Sequence, residues 1–376
     1  MNAHEKLDIL SADSQYDLAC ACGSGAGDRR RRTADGAGWL YPVPLSSGGY
    51  GVMLKTLMTN ACSNDCRYCP LRGGTNARRC AISPEEIAAA FMDYHRRRGL
   101  YGIFLSSGVP DTPDRAMDRL IAAAEILRKK EHYRGVVHLK IIPGASDSAI
   151  LSALHYASTV SLNIEVPGAG HFRKLSAAKN FDADIIHQLK FISEQTARGM
   201  KYQRVKSTTQ FVVGASDETD AEIVRYMDGI YHRLNFNRIY FSAYQQGLGD
   251  PSIPGERQPF SLQGGRDRLT REHRLYQVDF LLRKYRFDAS ELVFEPDGKL
   301  ALTVDPKMRW AQNHPEFFPV KVNFAPLEAL LRVPAVGPTY ADRIIKLRRT
   351  AKLRSPRDVG LSGVNAAKAA AYLDFS

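Results

Sequence analysis

The chain has 376 residues, and its 52 Lys and Arg outnumber its 40 Asp and Glu, which gives a formal net charge of +12 at pH 7. A hydrophobic content of 44% is ample for a large core, and the length predicts one large domain with an appendage. Six cysteines in so long a chain exclude a disulfide-rich secreted scaffold. The positive charge favours a polyanionic or phosphate-bearing partner.

The first predicted segment is an amino-terminal extension, residues 1–49, that is flexible in part. Its start, Met1–Lys6, lacks the basic and apolar regions of a signal peptide. No apolar run in the chain approaches the roughly 20 residues needed to span a bilayer. We therefore expect a cytoplasmic protein with no membrane partner. Residues 23–32 are rich in Gly and Arg, a composition typical of mobile segments.

Residues 50–250 alternate apolar runs with helical patterns. The predicted strands are Val52–Leu57, Gly102–Leu105, Val136–Ile142, Val160–Glu165, Thr208–Val213 and Arg238–Ser242. The predicted helices are Ser83–Arg98, Asp114–Glu131, Ser146–Tyr156, Asp182–Arg198 and Asp217–Leu234. Six strands with five intervening helices predict an α/β fold with a parallel sheet, best described as a partial (β/α)6 barrel. In such barrels the carboxyl ends of the strands carry the site.

A Cys-x3-Cys-x2-Cys motif follows the first of these strands. Its members are Cys62, Cys66 and Cys69. Soft thiolate ligands suit iron–sulfur clusters, and three of them can hold three irons of a 4Fe–4S cluster. The fourth iron then has no protein ligand and is open to chemistry. The alternative is a structural zinc site, although zinc usually takes four protein ligands there.

Small or polar residues follow three later strands. The triplet Ser106-Ser107-Gly108 ends the second strand, and its small side chains allow close approach of a ligand or form an ordinary turn. Asn163 and Glu165 end the fourth strand and alternate by two, so they face the same side. Such buried polar groups need partners, either a ligand or an internal network. Gly214, after the fifth strand, also permits close approach.

Three further cysteines, Cys20, Cys22 and Cys80, remain. Their number matches a second three-cysteine cluster, and Cys80 lies close enough in sequence to return to the mouth of the barrel. An auxiliary iron–sulfur cluster is one interpretation. The other is three ordinary thiols, because free cysteine often serves as a small buried apolar residue.

The rest of the chain is predicted as a linker, residues 251–320, and a small all-α domain, residues 321–376. The linker contains a predicted helix over 266–286 and a predicted hairpin turned by Asp297-Gly298, with strands Leu292–Glu295 and Leu300–Thr303. From Lys321 onward ten Lys and Arg residues face four acidic residues. This basic segment favours a polyanionic partner.

The cysteine motif and the strand-end residues resemble those of the radical S-adenosylmethionine (radical SAM) superfamily. The resemblance implies a 4Fe–4S cluster on Cys62, Cys66 and Cys69, whose open iron binds S-adenosylmethionine. The reduced cluster then cleaves that cosubstrate to methionine and a 5′-deoxyadenosyl radical. It also implies an external one-electron donor of the flavodoxin or ferredoxin type.

The same resemblance implies roles for residues around the cosubstrate. Ser106, Ser107 and Gly108 match the stretch that holds the methionine amine, and Asn163 and Glu165 match ribose contacts on the fourth strand. Residues 210–217 resemble the pattern Gly-x-Ile-x-Gly-x-x-Glu on the fifth strand, with Gln210 and Asp217 in place of its first and last members. The resemblance places Gly214, Tyr68 and Tyr240 near the adenine, and Arg173 and Lys174 near the methionine carboxylate.

Residues 330–345 resemble a helix–hairpin–helix motif, which grips a nucleic-acid phosphate through backbone N–H groups. The resemblance assigns phosphate contacts to Val336, Gly337 and Thr339, while Ala335 replaces the first glycine of the usual hairpin. The chain as a whole resembles radical SAM proteins assigned to DNA modification or repair. This implies a nucleic acid, nucleotide or nucleoside substrate.

Two alternatives remain open. The first is a biosynthetic enzyme that tailors a small nucleoside-like or phosphorylated metabolite, with or without insertion of sulfur from an auxiliary iron–sulfur cluster. The second is a non-catalytic iron–sulfur protein that binds DNA.

Overall fold

A computed structural model describes residues 1–14, 40–45, 48–257 and 262–376. Two compact units make up the described chain. The first comprises Met1–Glu218 and Gly229–Glu272, and the second comprises Thr219–Asp228 and His273–Ser376. Cys20, Cys22 and the Gly- and Arg-rich stretch lie outside the described residues.

The first unit is built on a seven-stranded sheet whose strands lie side by side in chain order. The strands are β1 Leu40–Pro44, β2 Tyr50–Leu57, β3 Gly102–Ser106, β4 Val136–Lys140, β5 Thr159–Ser161, β6 Lys206–Val213 and β7 Arg238–Ala243. Strands β2 to β7 are parallel, and β1 is antiparallel to β2. The sheet is curled into an open half-barrel, which confirms the prediction of a partial (β/α)6 barrel.

The helices alternate with these strands and continue past them. They are α1 Ala3–Asp13, α2 Pro84–Arg98, α3 Pro113–Glu125, α4 Asp147–Tyr156, α5 Ala169–Leu175, α6 His187–Thr196, α7 Asp220–His232, α8 Pro254–Arg257, α9 Leu262–Lys284, α10 Pro306–Asn313, α11 Leu327–Arg332, α12 Pro338–Leu347 and α13 Gly363–Ala370. A π-helical turn, Ile126–Lys130, prolongs α3, and another, Phe181–Ile186, precedes α6. Ser83 and Glu86 form a capping box at the start of α2, and this pair of reciprocal hydrogen bonds satisfies two backbone N–H groups there.

The structure differs from the sequence-based prediction in three places. Helix α1 and strand β1 lie inside the segment expected to be an extension, and β5 ends at Ser161, four residues before the predicted end. The predicted hairpin over 292–303 is wrong, because these residues contain a turn and no paired strands. The backbone N–H of Leu300 donates instead to the Asp220 carboxylate at 2.8 Å.

The second unit closes its carboxyl-terminal part with a pair of short strands. Strand β8, Val320–Lys321, pairs in parallel with β9, Leu373–Asp374. The expectation of an all-α tail is therefore wrong in this respect. The pairing ties the end of the chain back to the start of the segment, around a buried core from α11, α12, the 3-10 turn Pro356–Val359 and α13.

Candidate functional site

The two faces of the sheet differ sharply in polarity. Residues aligned across neighbouring strands share a face, because side chains of parallel strands keep their direction across the register. The inner face carries Lys55, Phe104, His138, Lys140, Ser161, Thr208, Gln210, Arg238 and Tyr240. The opposite face is mainly apolar and buried: it carries Leu54, Ile103, Val137, Leu139, Val160, Phe211, Ile239 and Phe241, together with the buried Thr56, Ser207 and Thr209. Since buried polar groups need partners, the inner face is the surface on which this unit can bind polar molecules.

The cysteine motif lies in a loop that leaves the carboxyl end of β2. Backbone hydrogen bonds anchor this loop at several points: Ser63 N–H donates to Val109 O at 2.7 Å, and Arg67 N–H donates to Leu175 O at 2.8 Å. The Asp65 carboxylate accepts the backbone N–H groups of Ala177 and Ala178. The loop is therefore held by residues that follow β3 and by α5 and the segment after it.

The three thiols of the motif are unequal. Cys66 is buried, whereas Cys62 and Cys69 are partly exposed, and none of them is in a disulfide. Burial raises the pKa of the Cys66 thiol, and burial together with Cys66 raises the pKa of Cys69 to about 12. In the part of the chain that the structure describes, no three His, Cys, Asp or Glu side chains come close enough to hold a single metal ion.

Lys179, a residue that the sequence analysis did not single out, contacts the motif directly. Its ammonium donates to Cys66 Sγ at 3.0 Å. Burial by itself lowers the pKa of Lys179, but Cys66 and Glu165 outweigh that effect and hold the pKa above its usual value. Lys179 is therefore a permanent cation beside a thiol of the motif. Hydrogen bonds to cluster sulfurs are one of the means by which proteins set cluster reduction potentials.

A chain of polar contacts leads from the motif onto the inner face. Tyr68 hydrogen-bonds to Glu165, whose carboxylate also accepts the Asn163 amide at 3.4 Å. Asn163 Oδ1 in turn accepts the Lys140 ammonium at 2.6 Å. Burial, followed by the Glu165 charge, raises the pKa of Tyr68, so its hydroxyl remains a donor at neutral pH. The structure thus brings Tyr68, Asn163 and Glu165 together, in an internal network of the kind that the sequence left open.

Glu165 has a backbone conformation that is rare for its residue type. Its φ is 67°, in the left-handed region that favours glycine. The residue follows β5 and is hydrogen-bonded to β6. Its N–H donates to Gln210 O at 3.1 Å, and its carbonyl accepts the N–H of Val212 at 2.8 Å. Such strain costs on the order of 1–3 kcal/mol and is typically found where the surrounding structure fixes a functional group.

The triplet after β3 contacts the start of the cysteine loop. Met58 N–H donates to Ser106 O, and Gly108 N–H donates to Thr59 O, both at 2.7 Å. The Ser107 hydroxyl donates to Gly108 O. A Cβ at position 108 would lie 2.3 Å from Ala61 O, so the glycine is required by the close approach of two backbones.

We expect the Gly108→Ala substitution to destabilise the loop that carries the motif. The added methyl group would clash with the backbone at Ala61, which cannot move without displacing the residues next to Cys62. Overpacking of this kind costs about 1–3 kcal/mol, so the urea midpoint should fall measurably. Gly170→Ala is the matched control, because a Cβ there meets no atom within 4 Å. Equal midpoints for the two variants would contradict this account of Gly108.

The residues after β6 are arranged differently from the sequence-based alignment. Asp217, which was aligned with the last position of the motif, is exposed and paired with Lys174 at 2.5 Å. That hydrogen bond, outweighing burial, lowers the pKa of Asp217 to about 2. The next residue, Glu218, is the buried one: it accepts the N–H of Gly214 at 2.6 Å and lies 3.4 Å from Arg271. The carboxylate that contacts Gly214 therefore belongs to Glu218, the residue after the aligned Asp217.

Other candidate residues are more dispersed. Arg173 is exposed on α5, next to the Lys174 ion pair. Tyr240 is half-buried on the inner face of β7, opposite Gln210, with the Arg238 guanidinium 5.4 Å from its ring centre. Cys80 is buried, and its backbone N–H donates to Asn60 Oδ1 at 2.6 Å, beside the start of the cysteine loop.

In the second unit, α11 and α12 are joined by the tight turn 333–337. Val336 is buried, Gly337 caps α12, and Thr339 is exposed in its first turn. Ala335 adopts a φ of 65°, the left-handed conformation that a glycine would adopt at lower cost.

Comparison with known proteins gives one match to a family and several similar structures. The model of the Radical SAM superfamily matches residues 56–230. No curated protein matches the chain. A crystal structure of methylornithine synthase (PylB) is similar at 15% identity and a TM-score of 0.46, covering 59% of this chain and 61% of that one.

Two structures of HydG, a maturase of the FeFe-hydrogenase, are similar at 13% identity. The first has a TM-score of 0.44 and is covered over 49% of its length. The second, from Carboxydothermus hydrogenoformans, has a TM-score of 0.43 and is covered over 51%. Each covers 59% of this chain, which therefore spans between about half and three fifths of the three proteins. Among the described residues, no helix is both long and apolar enough to cross a bilayer.

Proposed function

We propose that this chain is a radical SAM enzyme that modifies a nucleic acid, nucleotide or nucleoside, because the model of the Radical SAM superfamily matches residues 56–230. Enzymes of this superfamily use a 4Fe–4S cluster and S-adenosylmethionine, and they need an electron donor. We propose a flavodoxin or ferredoxin as that donor. The match to a superfamily of enzymes does not favour the other alternative, a non-catalytic DNA-binding protein.

Cys62, Cys66 and Cys69 are the residues that would hold the cluster. Their donor set is chemically suitable, since thiolates are the usual ligands of iron–sulfur clusters. The Lys179 hydrogen bond to Cys66 is also of the kind made to cluster sulfurs. When bound, the reduced cluster supplies the electron that cleaves S-adenosylmethionine and so produces the hydrogen-abstracting radical.

The chain's own residues would position the cosubstrate. The Tyr68–Glu165–Asn163–Lys140 network presents carboxylate, amide and ammonium groups on the inner face, close to the motif. A ribose offers hydroxyls that are both donors and acceptors, so it can exchange hydrogen bonds with Asn163 and Glu165. Lys179 provides a fixed positive charge suited to a carboxylate. Gly214 has a φ of 86° and no Cβ, and we assign the adenine to its side of the site; among the described residues, a Cβ there would meet only Arg271 Nη1 within 4 Å, at 3.6 Å.

The observation that carries the substrate proposal is the basic second unit with its tight turn. From Lys321 to the end, ten cationic side chains face four acidic ones, and Gly337 places the positive end of the α12 dipole at the turn. This combination suits a phosphate-bearing substrate, and the resemblance to a helix–hairpin–helix motif points to nucleic acid.

The alternative of a small metabolite with sulfur insertion is favoured by one feature. Ala335 stands where phosphate would approach the usual hairpin, and it keeps its Cβ there. Sulfur insertion would require an auxiliary cluster, for which Cys80 is the one candidate ligand in the described part of the chain.

The proposal is tested on the anaerobically reconstituted enzyme with reductant and S-adenosylmethionine. Formation of 5′-deoxyadenosine should rise severalfold when the true substrate class is added, so plasmid DNA, transfer RNA and a nucleoside mixture are compared in parallel. Substrate deuterated at exchange-inert positions should pass deuterium to 5′-deoxyadenosine. If none of the three raises 5′-deoxyadenosine formation, while S-adenosylmethionine is still cleaved in the absence of substrate, the proposed substrate class is wrong and the proposed radical chemistry is not.

A further inference from the structure

A cavity of about 320 Å³ lies within the second unit, among α9, α10, the 333–337 turn and α13. That volume is at the lower end of the range found for small-molecule sites. Its lining includes aromatic, apolar and polar side chains, among them two lysines and one acid. The lining residues include Phe280, Tyr285, Asp305, Lys307, Gly337 and Lys368.

Lys307 is the feature that indicates a ligand. The residue is only 8% exposed, yet it lines the cavity. Its ammonium donates to Val336 O at 2.5 Å and lies 4.6 Å from the centre of the Tyr285 ring. An ammonium has three N–H donors, and within the described residues the structure supplies one hydrogen-bond acceptor for it. A buried cation with unused donors is costly unless an anion or acceptor occupies the adjoining space.

The polar groups around Lys307 converge on one corner of the cavity. A Cβ on Gly337 would lie 2.9 Å from the Tyr285 hydroxyl, so the hydroxyl is adjacent to the start of α12. Burial and then the Asp305 charge raise the pKa of Tyr285, which keeps its hydroxyl a donor at neutral pH. A ten-residue helix begins at this corner and adds its dipole. Ammonium, hydroxyl and helix N-terminus together suit an anion with several oxygens.

The rest of the cavity suits something larger than a lone anion. Phe280 is 44% exposed, with the Arg283 guanidinium 5.4 Å from its ring centre, and Leu281, Met308 and Pro334 add apolar surface. Lys368, on α13, supplies a second cation at the solvent side. Stacking of a base on an aromatic ring contributes about 1–3 kcal/mol without regard to sequence.

We propose that this cavity binds one nucleotide, with its phosphate between Lys307, Tyr285 and Gly337 and its base against Phe280. The nucleotide is either free or part of a single strand. This site differs from the phosphate contact of a helix–hairpin–helix motif, which uses backbone N–H groups of the turn. Here the phosphate is bound mainly by Lys307, a buried side chain that lies outside the turn. This cavity is a binding site for the nucleic-acid or nucleotide substrate proposed above, and its assignment so rests on that proposal, but its test needs neither cluster reduction nor S-adenosylmethionine, so the two can fail separately.

Proton uptake should accompany binding. Burial lowers the pKa of Lys307 to about 7. The negative charge of Asp305 opposes this lowering, whereas the positive charge of Arg332 adds to it. The other titratable groups facing it from packed elements are Tyr285 on α9 and Lys368 on α13. At pH 8 most Lys307 side chains are then neutral, and a bound phosphate should draw a proton onto them. A merely structural lysine would not show this uptake.

The test is isothermal titration calorimetry of the full-length reconstituted protein at pH 8, in two buffers of different ionisation enthalpy. The probes are the deoxynucleoside 5′-monophosphates, the corresponding nucleosides and a short single-stranded oligonucleotide. We expect nucleotide binding with uptake of close to one proton, at least tenfold weaker binding of nucleosides, and a tenfold or greater loss of affinity in Lys307→Met. Preference for the monophosphate or for the strand identifies the source of the nucleotide.

Lys299→Met is the matched control, because it removes the same charge from an exposed site that does not line the cavity. It should bind as the wild type does. Phe280→Ala should weaken nucleotide binding while leaving proton uptake unchanged. Absence of binding by the wild type, equal affinity for nucleoside and nucleotide, or unchanged affinity in Lys307→Met would each overturn the proposal.

Discussion

Replacing Cys66 with alanine is expected to abolish cluster assembly and, with it, formation of 5′-deoxyadenosine. Cys66 is the most buried thiol of the motif and the one that receives the Lys179 hydrogen bond, so its loss also leaves that ammonium without its sulfur partner. Iron and sulfide content after anaerobic reconstitution measures the first effect. Wild-type protein with one cluster should contain about four irons per chain, and the variant close to none.

Cys80→Ala separates the motif from the remaining cysteines. If the chain holds a single cluster, this variant should retain about four irons. A wild-type content of about eight irons that falls to four in the variant would establish an auxiliary cluster and support the sulfur-inserting alternative. Full iron content and full turnover in Cys66→Ala would disprove the ligand assignment.

The second large effect concerns stability, and it should appear as a pH dependence that Lys307→Met removes. Lys307 has a pKa of about 7 in the folded protein, whereas the unfolded chain has its ordinary value of 10.5. Between these values the unfolded state binds one more proton than the folded state, so the free energy of unfolding rises with pH. From pH 7 to pH 9 the gain from this residue is about 2 kcal/mol.

Urea denaturation at several pH values between 7 and 9 measures this gain, with no nucleotide present. The methionine variant should show a smaller rise with pH than the wild type, and near pH 7 it should be at least as stable, because an apolar side chain replaces a costly buried cation. Lys299→Met, in which an exposed lysine is changed, should follow the wild-type curve. Parallel curves for wild type and Lys307→Met would show that burial does not perturb this lysine.

Much of the first unit was predictable because its strands are short apolar runs between well-marked helices. Strands β2, β3, β4, β6 and β7 lie within a few residues of their predicted positions, and the capping box at Ser83 marks the start of α2 as expected. Strand β1 was missed because Pro42 and Pro44 break the strand pattern. They are tolerated because β1 is an edge strand, where missing N–H groups leave no interior partner unpaired.

Site residues that depend on tertiary contacts were harder to predict. Lys179 lies more than a hundred residues after Cys66, and nothing in its local sequence marks it as a partner of a thiol. The contact between Glu218 and Gly214 could not be predicted, because the spacing pattern that ends at Asp217 does not show which carboxylate turns inward. Lys307 resembles any surface lysine of a basic protein until its burial among Tyr285 and Val336 is seen.

The contrast between the two faces of the half-barrel has a consequence for which substitutions this protein can tolerate. Burial of apolar surface on the outer side provides most of the favourable free energy of the sheet, since hydrophobic stabilisation scales with apolar area. Substituting the half-buried Tyr240 on the inner face should therefore cost less stability than substituting the fully buried Phe211 or Phe241 on the outer face. Residues of the inner face can therefore change with the bound molecule, while the apolar residues of the outer face continue to stabilise the fold.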